Sequence, residues 1–93
     1  MTIKNSSKPK KNEKILLRDM KDGIILYDVD RGKAHVLNLF ASYIWDHCDS
    51  QHSVKEIIET IEEELKELKK DHSKEVISTL KQFAKEGLVV LQE

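Results

Sequence analysis

The hydrophobic positions of this chain follow two different periods. Up to residue 37 the apolar residues stand in short runs or alternate with polar ones, and turn residues separate the runs. Residues 14–20, KILLRDM, predict a first strand, and Lys21-Asp22-Gly23 predicts a turn after it. Residues 24–29, IILYDV, are rich in β-branched and aromatic side chains and predict a second strand. Asp30-Arg31-Gly32 predicts the next turn, because Gly32 is free to take a positive φ. Residues 33–37, KAHVL, alternate and predict a third strand. Three strands joined by tight turns make an antiparallel meander.

From Asn38 onward the period is helical. Asn38 is a good N-cap. Phe40, Ala41, Ile44, Trp45 and Cys48 then fall on one face of a first helix. Residues 49–52 break it. Ser53 and Glu56 form a capping-box signature that opens a second helix. That helix turns Val54, Ile57, Ile58, Ile61, Leu65 and Leu68 inward, with Glu59, Glu62, Glu63, Lys66 and Lys69 mostly outward. Asp71-His72-Ser73 ends it and caps a third helix, striped by Val76, Ile77, Leu80, Phe83 and Ala84. Gly87 stops the third helix. Residues 88–91, LVVL, are too few for a helix and predict a last extended segment. The predicted fold class is α+β and winged-helix-like. A three-stranded antiparallel N-terminal sheet is followed by three helices and a short terminal strand.

Composition narrows this picture. A chain of 93 residues makes one small domain, which buries roughly 60–65% of its unfolded surface. No apolar run approaches the ~18 residues of a membrane span, and the N-terminus has no apolar signal region. The single cysteine, Cys48, has no partner for an internal disulfide, so a cytoplasmic setting is expected. Charge is unevenly spread. Residues 1–14 hold five lysines against Glu13, a balance of +4, which leaves −5 on the rest of a chain whose net charge is −1. The first 13 residues lack large apolar clusters and predict a disordered Lys-rich tail, with residues 14–93 as the folded domain.

The sequence offers residues for four kinds of site. A metal centre would draw on His47, Cys48 and His52, with His35 or His72, but paired ligand spacings such as C-x₂-C are missing. No metal is expected; Cys48 reads as a small buried hydrophobe. Thiol catalysis needs a lowered pKa, and an apolar face raises it. No phosphate loop, oxyanion hole or cofactor motif accompanies Cys48, so neither an enzyme nor a cofactor is expected. A winged-helix DNA-binding domain would read bases with the third helix, but Lys74, Lys81 and Lys85 are offset there by Glu75 and Glu86, and the second helix is acidic. The fourth site is the third strand itself. Lys33, Ala34, His35, Val36 and Leu37 carry one lysine and no proline to blunt an open edge. Such an edge is either covered by the protein's own elements or open to an added peptide strand.

The order and spacing of several short motifs tip that balance. The segment DGIILYDVDRGKAHVLNLFASYIWDHCDSQHSVKEI resembles the PqqD-like family of peptide chaperones, whose fold also forms leader-peptide recognition elements for ribosomal peptides that are modified after translation. The matching residues are Gly23, Gly32, Leu37-Asn38, Ala41, Ile44-Trp45, Asp49, Val54, Glu56-Ile57 and Gly87-Leu88. The resemblance covers roughly residues 15–91. Ser50 stands where the family has a turn glycine, and Ser53 where it has threonine.

The resemblance implies a non-catalytic module that takes a precursor (leader) peptide as a strand on residues 33–37. The peptide would lie against the third helix and be presented to a modifying enzyme, such as a radical-SAM enzyme or a leader peptidase. Helical spacing offers Ile77, Lys81, Ala84 and Lys85 as the helix side of the groove. The pathway stays open between pyrroloquinoline quinone, lasso-peptide and other modified-peptide biosynthesis. No membrane partner is expected, and nucleic acid is the alternative reading. An unoccupied edge also makes a homodimer an expectation.

Overall fold

The structure is a computed structural model that describes residues 3–65 and 71–92. The element order is β1 (Lys8–Lys11), β2 (Ile15–Met20), β3 (Gly23–Asp28), β4 (Lys33–Asn38), α1 (Leu39–Asp46), α2 (Val54–Glu64), α3 (Ser73–Lys85) and β5 (Val89–Gln92). The described residues are α+β, with three helices and antiparallel sheets. The expected meander is β2-β3-β4, with β3 in the middle. Its register pairs Leu17 with Leu26 and Leu26 with His35, so the three share one face. Ile24, Leu26 and Leu37 of that face are buried among the helices, while Leu16, Tyr27 and Val36 of the other face are exposed.

The turns are made as their residues require. Gly32 has φ +64°, which lets the four-residue turn close. Asp28, buried at 3% exposure, accepts from the backbone N–H of Arg31 at 3.1 Å, and the Arg31 guanidinium lies 3.8 Å from its other oxygen. Gly23 is needed for a different reason. Its φ is +152°, and a Cβ there would stand 1.9 Å from the carbonyl oxygen of Leu37. Only a glycine lets β3 and β4 meet this closely.

The sheet layout corrects the expectation of a single N-terminal sheet. β1 and β5 form a second, two-stranded sheet, with Lys8 opposite Gln92 and Lys11 opposite Val89. This also corrects the expectation of disorder for residues 8–11. Composition misjudged the segment because its apolar cover comes from elsewhere. Pro9 and Ser7 are buried, and the backbone is paired on both sides. Lys11 N–H donates to the Cys48 carbonyl, Ser50 N–H to that of Pro9, and Val54 N–H to that of Ser7. A lysine-rich strand can pay its ordering entropy when its neighbours supply the hydrogen bonds and the apolar surface.

The helices follow their stripes. Ile44 and Trp45 of α1, Val54, Ile57 and Ile61 of α2, and Val76, Leu80 and Phe83 of α3 are buried in one core with Leu88 and Val89. Ile58 and Leu65 pack against it at partial burial. The capping box is formed: Ser53 Oγ accepts from Glu56 N–H at 3.1 Å, and Glu56 Oε1 accepts from Ser53 N–H at 2.9 Å. Cys48 falls just beyond α1 rather than on it, yet is fully buried, with its thiol directed at the Ile44 carbonyl. The N-cap of α3 is His72, which makes no capping bond with its side chain; Asp71 accepts from Ser73 N–H instead. The expected positions Lys66, Leu68 and Lys69 lie outside the described residues. Among the described residues no helix is long and apolar enough to cross a membrane.

Candidate functional site

Among the described residues β4 is the terminal strand of its sheet and pairs with β3 alone. The direction of its free edge follows from one atom. The Leu37 carbonyl points at Gly23 of β3. In an extended strand the N–H and C=O of one residue point the same way, and those of the next residue point the opposite way. His35 therefore also turns its backbone groups to β3. Ala34 and Val36 turn theirs outward, away from the sheet. Both line a cleft of about 590 Å³ between β4 and α3. Their side chains lie on the exposed face, where Val36 is 70% exposed, so it is their backbone edge that meets the cleft.

The inward side chains of β4 furnish the cleft wall. Leu37, together with Phe83 and Ala41, makes an apolar floor. His35 closes one end. Its Nδ1 lies 2.7 Å from Glu86 Oε2, just beyond α3, and its buried Nε2 has no hydrogen-bond partner among the described residues. Gln82 donates to the other oxygen of Glu86. Arg31 lies at the same end, where its guanidinium donates to the Glu86 carbonyl at 3.0 Å. The remaining helix side is uncharged, with Ser78 and Thr79 on it.

Of the residues singled out in the sequence, Ala34, His35, Val36 and Leu37 line this cleft, and Lys33 begins the same strand at an exposed position. The helix side differs from the expectation. Ile77 and Ala84 pack against the core, Lys81 and Lys85 are exposed, and none of the four lines the cleft. Ser78, Thr79, Gln82, Phe83 and Glu86 occupy that wall instead. A helix has two flanks beside its buried stripe. Periodicity shows both and does not say which of them faces a given strand.

The histidines and Cys48 are arranged otherwise. The rings of Tyr43 and His47 stack at 5.2 Å, and His52 sits edge-on to His47 at 5.9 Å with its Nδ1 on Asp49. Burial pushes the Cys48 thiol up to about 12, against a small opposing pull from Lys11. Desolvation raises the Asp49 carboxyl and is the largest single effect on it, but the His52 hydrogen bond and charge and the Gln51 and His52 backbone N–H groups together outweigh it and hold Asp49 below the usual carboxylate range. Among the described residues no group of three His, Cys, Asp or Glu side chains is placed to hold a metal ion.

Comparison with known proteins agrees with the middle and end of this fold. Residues 23–89 match the family model of coenzyme PQQ synthesis protein D (PqqD). The matched region runs from Gly23 through the cleft strand and α3 into β5. No curated protein matches, and no solved structure does.

Proposed function

The chain belongs to the PqqD family, and on that premise we propose that it is a non-catalytic module that captures a ribosomal precursor peptide by strand addition to β4. It then presents the peptide to a modifying enzyme, a radical-SAM enzyme or a leader peptidase, which supplies the chemistry. The observation that carries this reading is the outward backbone of Ala34 and Val36, facing a cleft with an apolar floor. An added strand would hydrogen-bond to those two residues and send alternate side chains toward Leu37 and Phe83. Lys33, His35 and Leu37 would flank it.

The test is titration of synthetic leader segments into the labelled protein, followed by amide NMR. Signals of residues 33–38 shift if the peptide adds to β4; unmoved signals there refute the mode. Proline scanning makes the test directional. Val36→Pro removes an outward donor and leaves the ladder to β3 intact, so the fold survives and binding is lost. His35→Pro removes a ladder donor and disrupts the sheet. Sedimentation of the free protein checks the competing occupant, a second copy paired through the same edge.

A further inference from the structure

The cleft is not uniform along its length, and the difference is chemical. Leu37 and His35 are two residues apart on one strand face, so their side chains stand about 6.8 Å from each other. At the Leu37 position the cleft is apolar, floored by Phe83 and Ala41. At the His35 position it ends in a carboxylate. Glu86 is the only acidic or strongly basic side chain among the described residues that line the cleft. Gln82 and His35 hold its two oxygens from two sides, and its side chain remains 31% exposed. The cations nearby are otherwise engaged or outside. Arg31 is taken up by Asp28 and by the Glu86 carbonyl, while Lys33 and Lys85 lie exposed and do not line the cleft.

We propose that Glu86 is a specificity-determining residue that selects, in the captured peptide, a basic side chain two positions from an apolar one. The inference rests on the strand-addition reading above. A strand beside β4 has the same two-residue repeat as β4 itself, so one inward side chain meets Leu37 and the next meets Glu86. An apolar residue fits the first position. Lysine or arginine fits the second, where it donates to a carboxylate already oriented by its neighbours. An acidic residue there faces like charge in a partly desolvated pocket.

The probes are fluorescein-labelled synthetic decapeptides of alternating threonine and valine. Each carries one leucine and, two positions away, lysine, glutamine or glutamate. Both orders are made, which covers both strand directions. Anisotropy titrations should show the lysine peptide of one order binding roughly tenfold tighter than its glutamate counterpart, the size of one charge-assisted hydrogen bond. Glu86→Gln should abolish the preference and Glu86→Lys should reverse it, with circular dichroism confirming that both variants fold. Equal binding of all peptides, or a preference that persists in Glu86→Gln, overturns the assignment. Shifts in the β4 amides without any charge preference overturn this inference alone. No binding by any peptide overturns it together with the strand-addition reading.

Discussion

The ammonium group of Lys11 sits 4.8 Å from the centre of the Trp45 ring. A residue from the segment expected to be a solvated tail thus covers an aromatic side chain of the core. Removing residues 1–11 should therefore cost far more than removing a tail. It takes away β1, strips the pairing partner of β5 and uncovers Trp45. The truncated protein should melt at a clearly lower temperature, with Trp45 fluorescence shifted to the red. Lys11→Ala alone should cost about 0.5–1 kcal/mol, measured by urea unfolding. A truncation that leaves the melting temperature unchanged would sink the claim that β1 is structural.

Gly23→Ala should destabilise the meander severely. The new methyl would overlap the Leu37 carbonyl, and the backbone at φ +152° is strained for any L side chain. A loss of more than about 2 kcal/mol is expected by denaturant titration. Because Leu37 belongs to the cleft strand, the same change should also weaken the proposed peptide capture in whatever fraction stays folded.

Ser50→Gly should act in the opposite sense. Ser50 has φ +65°, a left-handed conformation that costs a side-chain residue roughly 1–2 kcal/mol. Glycine removes that strain while adding some entropy to the unfolded chain. A gain of up to about 1 kcal/mol in urea unfolding is expected, and a loss would contradict it.

Cys48 should protect itself. Its folded thiol titrates near 12, against an ordinary value of 9.0. The unfolded chain releases this proton first as pH rises, so the linked stability is full below pH 9 and declines between 9 and 12. Native protein should resist iodoacetamide at pH 8, while urea-unfolded protein reacts quickly. Rapid alkylation of the folded form would overturn the assignment.

Local patterns carried most of the fold. The switch from alternation to a helical stripe at Asn38, the capping box at Ser53 and the turn at Gly32 all depend on neighbours within four residues, and all are realised. What local patterns missed is settled over long distances. β1 is a strand because β5 and the loop around Cys48 offer it hydrogen bonds, and neither lies near it in the chain. The cleft strand was legible for the same local reasons as the meander. Its helical wall was not, because choosing between the Ile77 and Ser78 flanks of α3 needs the placement of the helix against β4. In the sequence Glu86 is only a charge on the third helix; its pairing with His35 spans about half the chain.

The β1–β5 pairing also bears on how the molecule comes together in time. The meander closes through turns of a few residues, so it can assemble early and at small entropic cost. Lys8 finds Gln92 only after everything between them has been ordered or looped out. Mutations in β1 and β5 should therefore speed unfolding while leaving the folding rate nearly unchanged, and mutations at Leu26 should slow folding. The strand proposed to receive a peptide would then exist before the molecule is sealed, and the edge offered for capture would form before the fold is durable.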